Sequence, residues 1–208
     1  GYTMGLFQFE SQGMTNFMKE LKPDCLEDLI AGVSLYRPGP MDQIPRYIKG
    51  KLNPGHNEYT HPRLEPILNV TYGCMVYQEQ VMQIVRDLAG YTMGQHDLVR
   101  RAMAKKKHDV MAKERVNFIE GAKKNGVSEE IANGVFDQMT DFASYAFNKA
   151  HAACYAVVGY ETAWLKTYYP VEFMAATMNS FMGTPEKIAV YIQECHQMGI
   201  EIVPPDIN

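Results

Sequence analysis

The chain has 208 residues, 46% of them hydrophobic and 21% charged, and carries a formal net charge of −4. That balance is of a soluble globular protein with enough chain to bury a substantial core, and its slight acidity excludes a uniformly basic nucleic-acid coat. No run approaches the roughly 18 uninterrupted apolar residues of a membrane span, no basic-then-apolar leader is visible, and Cys25, Cys74, Cys154 and Cys195 are widely spread with no CxxC. We expect a reduced, cytoplasmic protein with buried thiols and no zinc site. The start at Gly1 and the loop-like end PPDIN suggest a piece of a longer protein.

In chain order, residues 5–10 (GLFQFE) alternate apolar and polar side chains and predict a short strand. Ser11 opens a helix to about Lys22, stopped by Pro23. Asp24 and Glu27 form an acidic capping box for a helix to Ser34, with Leu26, Leu29, Ile30 and Val33 as its buried face. The turn Tyr36-Arg37-Pro38-Gly39-Pro40 is stiffened by two prolines. By spacing alone, Arg37 is either a solvated corner residue or a ligand contact. Residues 41–52 predict a short helix, and 53–63 (NPGHNEYTHPR) an exposed loop. His56 and His61 in that loop have no nearby cysteine or cluster of carboxylates to make a metal site.

Residues 64–69 give a helical turn, 73–77 (GCMVY) a buried strand, and 78–88 a helix with Val81, Met82, Val85 and Leu88 on one face. A turn bracketed by Gly90 and Gly94 leads to DLVRRAMAKKK at 97–107, where five of the chain's 20 Lys and Arg fall within eight residues. Leu98, Ala102 and Met103 supply an apolar stripe, and Lys105, Lys106 and Lys107 fall at the C-terminal end, where the helix dipole favours cations. Two readings stand: a solvated, dipole-matched helix end, or a polyanion site with Arg100 and Arg101 as phosphate forks and the lysines as point charges. Helices follow at 108–124 and 128–141. Residues 143–156 (ASYAFNKAHAACYA) interleave small residues with larger ones, which suits a tight helix contact or a flat ligand. A helix runs on to Tyr168, Pro170 opens the next, and a last helix spans about 184–198 before Gly199. The fold class expected is mainly α, with many helices and a few short strands. It forms a single domain over 1–208 with helical subregions roughly at 1–90 and 91–208.

The nine aspartates are scattered and form no DxD, and there is no GxxxxGK[ST] or GxGxxG loop. Cys154 lies three residues from His151 on a predicted helix, where a buried packing Cys is a simpler reading than a thiolate nucleophile. Cationic parts for phosphate are present without carboxylates for a metal.

GLFQFESQGM, LYRPGPM, VYQEQVMQI, RRAMAKKK and FNKAHAACYA, followed in order by ETAWLKTYYPVEFMAA and PPDIN, resemble the alpha subunit of bacterial DNA polymerase III, the DnaE-type replicative C family. The resemblance covers essentially the whole chain and corresponds to that family's fingers. It implies that Arg100 and Arg101, with Lys105, Lys106 and Lys107 nearby, contact the triphosphate of an incoming dNTP. Arg37, Asn148, Lys149 and His151 would lie near the nucleotide or nascent base pair, and Tyr145, Phe147 and Tyr155 either border a base or belong to the core. The family's catalytic aspartates belong to its palm and match nothing here. Mg²⁺ is thus implied for the full polymerase but not for this stretch, which alone should be inactive. The implied partners are dNTP, primer-template DNA, the palm and other domains of the same chain, and holoenzyme subunits, in a cytoplasmic, nucleoid-associated setting without a membrane.

Overall fold

The computed structural model describes residues 1–104, 108–143 and 145–204; the side chains of Leu98, Arg100, His108, Asp109, Ala143 and residues 102–104 lie outside that description. The protein is mainly α, as expected. Its helices are α1 (Gln12–Leu21), α2 (Leu26–Leu35), α3 (Ile44–Leu52), α4 (Glu65–Leu68), α5 (Gln78–Ala89) and α6 (Met93–Ala104), then α7 (His108–Lys124), α8 (Glu129–Ala143), α9 (Lys149–Tyr168), α10 (Pro170–Ser180) and α11 (Pro185–Gln197). Among the described residues no helix is long and apolar enough to cross a membrane.

Local signals account for most helix ends. Ser11 caps α1 by accepting from Met14 N at 3.4 Å, and Lys22 closes it in the left-handed conformation. Pro170 and Pro185 occupy first turns, where a missing N–H costs nothing. The strands fare differently. Residues 5–10 form successive turns, with Leu6 N donating to Thr3 O and Phe9 N to Leu6 O. Positive φ at Gly5 and Gln8 breaks the extended run that alternation predicted. Residues 74–77 are buried, but the strand expected there is reduced to one isolated parallel bridge, Tyr77 to Phe147. α2 also departs from expectation. Leu26 is exposed rather than part of a buried face, and Asp28 Oδ2 accepts from Asp24 N at 3.2 Å.

Packing divides the chain into two compact units, Gly1–Leu29 with Cys154–Asn208, and Ile30–Ala153. In the first, α10 and α11 pack around buried Met174, Tyr191 and Cys195. Lys166 of α9 and Glu194 of α11 form a buried ion pair at 2.5 Å, and the same ammonium donates to Met4 O at 2.9 Å. In the second, α5 packs against α4, α6 and α7, and α7 against α8. Ile84, Leu88, Phe118, Val135 and Met139 form a fully buried centre. Gly121 permits the close α5–α7 contact, since a Cβ there would lie 2.3 Å from Ala89 O. The four cysteines are free, and Cys25 and Cys154 are exposed rather than buried. Ala152 and Ala156 share the buried face of α9, while position 154 lies about 200° around the helix from each.

Candidate functional site

The site is assembled on the bridge between Tyr77 and Phe147. Gln78 N donates to Phe147 O at 2.8 Å, and Gln78 Nε2 donates to Ala146 O at 3.2 Å. The start of α5 is thereby held beside the start of α9. Gln80 fixes the turn into α5: its Oε1 accepts from Val76 N at 2.8 Å and Tyr77 N at 3.0 Å. Its Nε2 donates to Ile67 O at 3.2 Å and Thr71 Oγ1 at 2.8 Å. This amide is buried and fully satisfied, so the turn is rigid.

Glu79 then reaches across to the N-terminus of α9. Its carboxylate accepts from Lys149 N, at 3.2 Å to Oε1 and 3.0 Å to Oε2, and from Asn148 Nδ2 at 2.8 Å. Asn148 Oδ1 in turn accepts from His151 N at 2.8 Å. Two side chains thus satisfy two of the four N–H groups that a helix start leaves free, and the carboxylate suits the positive end of the helix dipole.

Arg37 arrives from the proline-stiffened turn. Its Nη2 donates to Tyr145 O at 2.9 Å and its Nε to Ser34 O at 3.1 Å, and the guanidinium lies 4.1 Å from the centroid of the Phe147 ring. Burial lowers its pKa from the ordinary value, but an arginine so shifted stays cationic. The Tyr145 phenol is raised by burial, then by the charges of Asp141 and Asp42. Lys149 Nζ lies 5.3 Å from the Tyr77 ring centroid, and the His151 ring meets Phe147 edge-on at 5.4 Å. The result is a ledge of cations on aromatic faces.

Of the residues predicted for the site, the structure therefore brings Arg37, Asn148, Lys149 and His151 together. Asn148 serves as a helix cap. Phe147, ambiguous in sequence, is the platform for Arg37, whereas Tyr145 packs edge-on against Phe142 at 5.6 Å. Tyr155 belongs to the other unit, where its ring meets Phe7 at 5.3 Å. On α6, Arg101 Nε forms an exposed ion pair with Asp97 at 2.7 Å. The Arg100 side chain and Lys105, Lys106 and Lys107 lie outside the described residues. The sequence does not single out Glu79 or Gln80. An acid in the first turn of α5 was visible, but nothing local pointed to a partner 70 residues on.

Among the described residues one group has metal-ligand proximity: Asp24, Cys25 and Asp28, with ligand atoms within 4.8 Å of one another. Burial raises the Cys25 thiol; a backbone hydrogen bond from Asp28 offsets part of this, and the Asp28 carboxylate raises it again. A protonated thiol beside a carboxylate that already accepts a backbone N–H does not fit the hard oxygen shell of Mg²⁺. His61 Nδ1 accepts from Arg63 N at 3.2 Å and acts as a local cap.

Among the described residues, this helical unit sets Arg37 and Lys149 against the rings of Phe147 and Tyr77. Comparison gives the family. Residues 1–126 match the model of the bacterial DNA polymerase III alpha subunit finger domain, and the chain belongs to that family. Over 208 residues it is 52% identical to the DNA polymerase III subunit alpha of Chlamydia muridarum, covering 100% of this chain and 17% of that protein. The proteins of the same name from Pseudomonas aeruginosa and Thermus aquaticus are 50% and 51% identical over 213 residues, covering 99% and 100% of this chain and 18% of each relative. The chain thus spans less than a fifth of the length of these relatives.

Proposed function

We propose that this chain is the nucleotide-binding finger region of a bacterial DNA polymerase III alpha subunit engaged in template-directed DNA synthesis. In this reading Arg100 and Arg101 on α6, with Lys105, Lys106 and Lys107 following, bind the triphosphate of the incoming dNTP. The ledge of Arg37, Lys149 and His151, held by the Asn148 cap, lies beside the nucleotide or the nascent base pair. Forked guanidiniums and ammonium point charges are the groups that triphosphate recognition requires. The observation carrying the reading is the convergence of the YRPGP, VYQEQ and FNKAH segments on one ledge, in the same compact unit as α6.

The Mg²⁺ such a reaction uses would be held by residues outside this chain, and no role here is assigned to it. Primer-template DNA, the other domains of the same polymerase chain and holoenzyme subunits are the proposed partners, in a cytoplasmic, nucleoid-associated setting. The isolated chain should show no primer extension.

The test is steady-state nucleotide incorporation by the full-length alpha subunit carrying Arg100→Ala and Arg101→Ala, with folding checked by thermal melt. A large rise in KM for dNTP or fall in kcat, with DNA affinity retained, is the expected result. Unchanged kinetics with weaker, less salt-dependent DNA binding would move the pair to the strand backbone and sink the triphosphate assignment.

A further inference from the structure

We propose that the cleft between α3 and the 53–59 loop is a second phosphate-binding site, taking either a phosphodiester of a DNA strand or a free oligophosphate. It has a volume of about 600 Å³ and is lined by Arg46, Lys49, Asn53, His56, Asn57 and Tyr72, with Glu58 as the one acid on its wall. It goes beyond the triphosphate role given to Arg100 and Arg101 and does not depend on it.

The cleft is a built feature. Gly50 is buried at its floor, and a Cβ there would stand 2.6 Å from Tyr72 Cβ and 2.8 Å from Asn57 Oδ1. Helix, loop and Tyr72 therefore converge because this position has no side chain. Tyr72 itself sits at φ 52 and ψ 38, a conformation few non-glycine residues adopt. Its ring packs edge-on at 5.0 Å against Tyr47, which is fully buried. The loop is pinned to α3 by Asn53 Nδ2 donating to Lys49 O at 2.8 Å and Asn57 Nδ2 to Gly50 O at 3.4 Å.

Arg46 Nη2 donates to Gly73 O at 3.1 Å, which orients the guanidinium and leaves most of its donors available. Among the described residues neither Arg46 nor Lys49 forms an ion pair, whereas Arg86, Arg101, Arg115, Lys123, Lys166 and Lys187 each meet a carboxylate. In a chain of net charge −4, two cations left facing one cleft with an imidazole and two amides form a local positive focus. An oriented guanidinium beside an ammonium is the donor set that a phosphate's oxygens match.

The experiment reads Lys49 directly in the full-length alpha subunit. Its acylation by a water-soluble succinimidyl ester, followed by mass spectrometry, should slow several-fold in the presence of an oligo-dT strand or of inorganic pyrophosphate. Lys22, in the other unit, serves as the reference. Protection by the oligonucleotide alone assigns a strand phosphodiester, and protection by pyrophosphate alone assigns a free oligophosphate. Arg46→Gln should abolish the protection, and His56→Ala, on the exposed loop, should weaken it with no change in the melt. Unprotected Lys49 under saturating oligonucleotide and pyrophosphate, or protection that survives both substitutions, overturns the proposal. Either negative result leaves the incorporation kinetics of the Arg100 and Arg101 variant to be judged separately.

Discussion

The two compact units handle buried polarity in opposite ways. Gly1–Leu29 with Cys154–Asn208 joins two distant stretches of chain and buries a full ion pair, Lys166 with Glu194, whose side chains are 6% and 11% exposed. Ile30–Ala153 is one continuous stretch, and its central polar group is the neutral amide of Gln80, with both atoms satisfied. A buried ion pair is costly to desolvate and severe to break on one side, whereas a neutral network is cheaper to build and fails bond by bond. The ledge proposed for nucleotide contact rests on that neutral amide, which locks the start of α5, and on the Glu79 carboxylate, which caps α9.

The first of two large expected effects tests the charged side of that contrast. Lys166→Met should destabilise the protein by about 3–5 kcal/mol by leaving Glu194 charged and unpaired. Adding Glu194→Leu should recover much of that loss in urea unfolding. If the double variant is no better than the single one, the ammonium's bond to Met4 O, rather than the ion pair, holds this unit.

On the neutral side, Gln80→Leu strands the N–H groups of Val76 and Tyr77, and unsatisfied buried donors cost about 1–3 kcal/mol each. Over both donors the expected loss in the same urea titration is about 2–6 kcal/mol, comparable to that of Lys166→Met, and a loss below about 1 kcal/mol would show that this amide does not lock the turn. Arg37→Lys keeps the charge but loses the fork to Tyr145 O and Ser34 O and the stack on Phe147. A cost of about 1–2 kcal/mol is expected, with no rescue from charge conservation. A neutral Arg37→Lys would show that Arg37 serves the ligand and not the ledge.

The smallest effect is the most diagnostic for function. Arg101 is 69% exposed on its side chain and paired with Asp97 one helical turn away. Arg101→Ala should therefore shift stability by no more than about 0.5 kcal/mol. A thermal melt unchanged alongside impaired incorporation would separate a residue kept for a ligand from one kept for the fold.

The sequence by itself determined the helices and most of their ends. Ser11, Pro170, Pro185 and the glycines after α5, α7 and α11 act within a turn or two of their own position, so their signals are local and readable. It also carried the family, because five ordered segments coincide with one kind of protein. Tertiary structure decided the rest. The alternation at 5–10 met left-handed residues at Gly5 and Gln8 and became turns, and the buried run at 74–77 found a single bridging partner instead of a sheet. A boundary near residue 90 is natural in a linear reading, whereas packing divides the chain at 29/30 and 153/154. Most telling is Glu79, which completes the cap of a helix 70 residues away. Its pairing rests on long-range geometry, and no periodicity or cap motif in the neighbourhood of a residue encodes which distant backbone N–H will need it.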